Sequence, residues 1–151
     1  MSCFICDKQL GVSNQPPGGY FYEDEHWKVC HFPVDQSCAG RIVMESKRHF
    51  LDFSEMTEEE TISYGVVLKQ LYFALKQVTG AERVYSLLII DGVPYFHSHL
   101  VPRGYDSISR GIEYLRQESS CTEIEALQVV HELKAILNSK EPPHYDDWST
   151  A

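Results

Sequence analysis

Pro94-Tyr95-Phe96-His97-Ser98-His99-Leu100-Val101-Pro102-Arg103 holds a strand of a sheet, from Phe96 to Val101. Side chains alternate sides along a strand, so Tyr95, His97, His99 and Val101 share one face. Phe96, Ser98 and Leu100 take the other, which by its apolar character faces a core. Two histidines stacked about 7 Å apart on one face can both reach one ligand. Imidazole suits phosphoryl and nucleotidyl transfer because it titrates near pH 6.5 and keeps an unprotonated nitrogen at neutral pH. Its second nitrogen can be held by a carbonyl, which fixes the tautomer and aims the first. A neighbouring cationic group or helix amino terminus can offset charge growing on phosphate oxygens. By spacing alone, a His-x-His pair more often arises by chance or forms half a metal site.

The neighbouring segments extend this strand into a sheet. Val84 to Ile90 is a β-branched and apolar run, and Asp91-Gly92-Val93-Pro94 is a turn joining it to the histidine strand. Upstream, Thr57-Glu58-Glu59-Glu60 is a capping box. It predicts a helix over residues 58–79, with an apolar stripe at Ile62, Val66, Leu68, Tyr72, Leu75 and Val78 and a stop at Gly80. Further upstream, Arg41-Ile42-Val43-Met44-Glu45 follows Gly40 as a strand. Tyr20–Glu23 and Trp27–Phe32 form a hairpin across Asp24-Glu25-His26, and Pro33 ends it. Gly11 to Gly19, with Pro16-Pro17-Gly18-Gly19, is a loop. Downstream, Ser120-Cys121-Thr122-Glu123 reads as a second capping box. The helix it opens has the stripe Ile124, Leu127, Val130, Leu133 and Leu137, before a partly ordered tail from Pro142 to Ala151. Antiparallel strands with segregated helices make an α+β domain.

Composition bounds the function. The chain has 151 residues, 43% hydrophobic and 23% charged, the balance of an ordinary globular domain that needs no disulfides. A net charge of −9 argues against nucleic-acid polymers, whose backbones demand a lysine and arginine excess. One small anionic ligand needs only local donors and stays open. No apolar run nears the roughly 20 residues that span a bilayer, so no membrane partner is expected. The amino terminus carries no basic segment and apolar core of a signal peptide, and a cytoplasmic location is expected. Five cysteines cannot all pair, which favours thiols or metal ligands over disulfides.

Cys3-x-x-Cys6 brings two thiolates within reach of one ion, half of a tetrahedral zinc site. Cys30, Cys38 and Cys121 read as small apolar packing residues. His26, His31, His131 and His144 lack partner spacing and read as surface or ordinary core positions. Glu58-Glu59-Glu60 is a solvated helix start that suits the macrodipole. Tyr20, Phe21, Tyr22 and Trp27 read as core or cross-strand pairs.

The histidine strand, ending in Leu100-Val101-Pro102-Arg103, resembles the motif of the histidine triad (HIT) family, three histidines at alternate positions followed by apolar residues and Pro-Arg. Three further segments fit in order: Gly40-Arg41-Ile42-Val43-Met44-Glu45-Ser46-Lys47-Arg48-His49, the linker Phe53 to Glu60, and Cys3-Phe4-Ile5-Cys6. The resemblance covers roughly residues 3–103. It implies a five-stranded antiparallel sheet with one long helix packed on it, and a homodimer. It makes residues 1–110 the HIT-like domain, with residues 111–151 a helical extension packed on it. It implies that His97 is the nucleophile and that His99 contacts the phosphate, with Tyr95 and Ser98 beside them in the substrate-binding set. Tyr95 stands where the family has its first histidine. Zinc-bearing relatives also imply a structural zinc on Cys3, Cys6 and His49, the fourth ligand being another residue, water or none. In other relatives this histidine lies beside the active site. Two further departures are Pro33, with Asp35 nearby, where an acidic residue grips the ribose, and Asp91-Gly92-Val93-Pro94 in place of a small polar turn.

The resemblance therefore implies a nucleotide-binding hydrolase or nucleotidyl transferase acting on the α-phosphate of a nucleotide conjugate through a nucleotidyl-histidine. The departures at Tyr95 and the turn leave a second reading, a nucleotide-binding regulatory module with little or no turnover. A third makes His97 and His99 metal ligands.

Overall fold

A computed structural model of the chain describes residues 2–139, so the expected tail from Pro142 and the residue His144 lie outside the described part. Five strands, β1 (Tyr20–Glu23), β2 (Trp27–His31), β3 (Ile42–Ser46), β4 (Arg83–Leu87) and β5 (His97–Arg103), form one antiparallel sheet in the order β1-β2-β3-β5-β4. The long helix α2 (Glu58–Thr79) links β3 to β4. The short α1 (Phe4–Gln9) precedes the sheet, and α3 (Gly111–Arg116) and α4 (Glu123–Leu137) follow it. The architecture is α+β, as expected.

α2 begins where its capping box places it. Thr57 accepts from the Glu60 amide, and the Glu60 carboxylate accepts from the Thr57 amide, which satisfies two free donors of the first turn. Gly80 ends the helix in the left-handed conformation, where a side chain would be unfavourable. The buried stripe is Val67, Leu71, Ala74 and Leu75, rotated from the expected one. Ile62 and Val66 are exposed instead. The hydrophobic period was right, but several faces of this helix carry apolar residues and only packing selects among them.

α4 packs against α2 and β1, burying Ala126, Val130 and Leu133. Its capping box is Thr122 with Glu125, two residues later than expected. Cys121 is still outside the helix there and donates its amide to the Val34 carbonyl. Ile124 and Leu127, expected in the stripe, are exposed. The core lies between these two helices and one face of the sheet, built from Trp27, Val29, Ile42, Met44, Phe96 and Leu100. Gly40 leads into β3 at φ +96, under the carboxy-terminal end of α2. A Cβ there would sit 2.8 Å from Thr79 Cγ2 and 3.1 Å from Pro102 Cγ, so this close approach requires glycine.

β4 stops at Leu87 rather than Ile90. Its last pair is Leu87 with His99. Before His97 the chain turns away, and Phe96 donates its amide to Phe50. Leu88 to Ile90 thus have no strand to pair with, and Leu88 and Ile89 are exposed. α1 and α3 are too short to announce themselves by periodicity, and both lie against the histidine face. α1 reaches it through Lys8 and Gln9 on Glu45. α3 reaches it through Tyr114, whose hydroxyl bonds the Pro102 carbonyl. No helix among the described residues is long and apolar enough to cross a membrane.

Candidate functional site

His97 opens β5 opposite Glu45, and His99 follows opposite Val43 and Leu87. Partners in an antiparallel ladder share a face, so both rings stand on the side of the sheet away from the main core. The rings contact each other edge-on, with centroids 5.2 Å apart. His97 Nδ1 lies 2.7 Å from the Tyr95 carbonyl. A carbonyl only accepts, so Nδ1 carries the proton and Nε2 presents its lone pair. The ring makes no other hydrogen bond among the described residues and is 7% exposed.

His99 is set the opposite way. Its Nδ1 lies 3.3 Å from a terminal nitrogen of Arg41, and a guanidinium only donates, so Nδ1 accepts and Nε2 carries the proton. Burial first, and then the charge of Arg41, push its pKa down to about 3. It is therefore a neutral donor throughout the physiological range. One imidazole offers a nucleophilic lone pair, and its neighbour offers an N–H suited to a phosphate oxygen.

Tyr95 and Ser98, expected in the substrate-binding set, both have buried side chains. Tyr95 is 1% exposed and donates its hydroxyl to the Ser46 carbonyl at 2.6 Å, with the Lys47 carbonyl at 3.1 Å. Its side chain clamps the end of β3 and its contribution to the face is the backbone carbonyl that holds His97. Ser98 pairs with Met44 on the core side, fully buried, and its hydroxyl has no hydrogen-bond partner among the described residues. A hydroxyl stranded in an apolar core costs free energy. Ser98→Ala is therefore expected to raise unfolding stability by about 1 kcal/mol, read as a higher midpoint in denaturant, whereas a hydroxyl with a role in the fold would make the variant less stable.

Arg41, Glu45 and Lys8 belong to this face and carried no role in the sequence reading. Glu45, beside His97, is 1% exposed and pairs with Lys8 from α1. Its carboxylate also accepts from Tyr20 at 2.8 Å and from Gln9 at 3.2 Å. Burial pulls the Lys8 ammonium down, but Cys30 and Glu45 together outweigh that and leave it raised. Burial pushes the neighbouring Cys30 thiol up to about 12, so it stays protonated. An alternation signal existed for Glu45, since β3 places it on the histidine face; nothing local linked it to Lys8.

Cys3, Cys6 and His49 come together, their ligand atoms all within 4.8 Å of one another. Cys3 caps α1 and Cys6 lies one turn on. Cys6 Sγ and His49 Nδ1 are 3.5 Å apart. His49 Nε2 donates to the Pro94 carbonyl at 3.1 Å, which turns the Nδ1 lone pair toward the thiols. Two sulfurs and one imidazole, with the second ring nitrogen anchored, fit zinc. The Tyr95 ring stacks near His49 at 4.7 Å, but its hydroxyl is spent on the backbone and does not complete the set. His31 is an internal tie, donating from Nδ1 to the Phe32 carbonyl and accepting the Gly40 amide at Nε2. Asp35 sits exposed in a single 3-10 turn, Val34–Gln36.

No protein-family model and no curated protein matches the sequence. Solved structures do match the fold. A zinc-bound histidine triad family protein from Mycobacterium smegmatis is 20% identical, with a TM-score of 0.74 over 93% of this chain and 99% of its own. A hypothetical histidine triad nucleotide-binding protein from Sulfolobus tokodaii is 16% identical, with a TM-score of 0.71 over 89% of this chain and 91% of its own. A HIT-like protein involved in cell-cycle regulation from Bartonella henselae is 12% identical, with a TM-score of 0.69 over 89% and 96%. The likeness spans most of both chains in each case, and the chain has the histidine triad fold.

Proposed function

We propose that the protein is a nucleotide-binding hydrolase or nucleotidyl transferase in which His97 attacks the α-phosphorus of a nucleotide conjugate. The observation that carries this is the tautomer lock: Tyr95 holds Nδ1–H and leaves Nε2 free, beside a neutral His99 that donates. Nε2 forms a bond to phosphorus as the bond to the leaving group breaks, and the leaving group departs with a proton from solvent. Water then attacks the same phosphorus, the P–Nε2 bond breaks, and a nucleoside monophosphate is released. A transferase replaces that water with another acceptor. His99 stabilises the charge on the phosphate oxygens in both steps. Two structural neighbours bear on this reading: one is named as nucleotide-binding and another as zinc-bound. The test is release of nucleoside monophosphate from adenosine phosphoramidates and dinucleoside polyphosphates. Tight monophosphate binding without release from any of them would support the regulatory module instead, a reading favoured by Tyr95 in place of a histidine.

Cys3, Cys6 and His49 would hold zinc as a staple between α1 and the start of the loop after β3. Bound zinc would supply rigidity there, and no step of the chemistry passes through it. Metal analysis should find about one zinc per chain, lost when Cys3 and Cys6 are replaced by Ser and retained when His97 is replaced by Asn. Loss of zinc in the His97 variant would instead support His97 and His99 as metal ligands.

A further inference from the structure

We propose that Arg41 binds a second anionic group next to the phosphorus attacked by His97, which makes the substrate a nucleoside polyphosphate rather than a conjugate with an uncharged leaving group. This rests on the nucleotide reading above and deepens it.

Arg41 precedes β3, one register step beyond the Ile42–Leu100 pair, and so faces the Val101 end of the histidine strand. Along that strand His99 lies between Arg41 and His97. The guanidinium is half-buried and is held in place from two sides. Its carbon sits 4.3 Å over the Phe32 ring, and one terminal nitrogen reaches His99. Neither contact neutralises its charge. The buried Nε has no hydrogen-bond partner, and Arg41 forms no ion pair among the described residues. Lys8, Arg48 and Arg103, by contrast, are matched by Glu45, Glu60 and Glu82. Cys38, which also lies within electrostatic reach, has its thiol pushed up by burial and stays neutral.

A half-buried cation without a counterion is costly unless a ligand supplies one. The space beside Arg41 is suited to that. A cleft opens from it between Leu87 and Val101 on the sheet and Cys38, Tyr114 and Gln117 on the covering segment. Glu118 stands on the same wall but makes no ion pair with Arg41. The planar fork of a guanidinium matches two oxygens of one phosphate. A ligand whose α-phosphorus faces His97 and whose neighbouring phosphate reaches past His99 would satisfy both ends. A phosphoramidate with an amine leaving group carries nothing to place there.

Calorimetric titration of the wild-type protein with AMP and with its non-hydrolysable α,β-methylene diphosphate analogue, and with the guanosine pair, tests this. The diphosphate of at least one pair should bind about tenfold tighter than its monophosphate. That ratio should fall to about one in Arg41→Gln, and Arg41→Lys should retain part of it. Equal wild-type affinities, or a preference that survives Arg41→Gln, would overturn the proposal. Should Arg41→Gln not fold, the wild-type ratio and its decline in Arg41→Lys decide. Monophosphate binding without diphosphate preference removes the role of Arg41 and leaves the nucleotide reading standing. Absence of all nucleotide binding overturns both.

Discussion

Replacing His97 by Ala is expected to lower kcat/KM for nucleotide conjugates by roughly 10³-fold or more, the scale of other nucleophile deletions. The size of the effect follows from the arrangement of the ring. His97 Nε2 makes no hydrogen bond among the described residues, and its Nδ1 is fixed 2.7 Å from the Tyr95 carbonyl. No other group on the face duplicates it, because His99 presents a proton where His97 presents a lone pair. His99→Gln, which keeps a donor, should therefore retain far more activity than His97→Ala. Steady-state kinetics on both variants, with circular dichroism to confirm folding, checks the ranking. Equal losses would mean that the two rings act as one unit and that the division of roles is wrong.

Lys8→Met should destabilise the fold by about 3–5 kcal/mol, the cost of leaving a buried charge without its partner. Glu45 is 1% exposed and takes its positive charge from Lys8; Tyr20 and Gln9 contribute neutral hydrogen bonds. Without Lys8 those two donors remain, but no cation does. Removing both partners, as Lys8→Met with Glu45→Leu, should recover much of the stability, because an apolar pair of similar volume replaces the desolvated ions. Denaturant titration of the wild type and the two variants measures this. A single variant as stable as the wild type would show that the pair is solvated rather than buried.

The sheet and its long helix were legible because each rests on local chemistry. Alternation in the Tyr95–Val101 stretch set both faces of β5, and the Thr57–Glu60 box set the start of α2 to the residue. The second capping box was misplaced because Ser120 and Thr122 both suit a cap, and the bond of the Cys121 amide to Val34, which decides between them, is tertiary. The α2 stripe was misjudged for a similar reason, since Ile62 and Val66 fit a helical period as well as Val67 and Leu71 do. At the site, the His97 and His99 rings meet on one face, and Cys3, Cys6 and His49 come close enough to hold one ion. Alternation already put Ser98 on the core side, and the structure leaves its hydroxyl there. Tyr95 could be named but not assigned, because its hydroxyl bonds backbone atoms 48 and 49 residues away. Arg41 was invisible as a site residue, since an arginine before a strand is ordinary until its missing counterion is seen in three dimensions.

Intact-mass analysis after a quenched incubation with an adenylated substrate tests the nucleophile most directly. A species heavier by one adenylyl group, with the modification mapped to His97 and absent from His97→Ala, is the predicted result. Substrate turnover with no such species, or with the group attached to another residue, would contradict it.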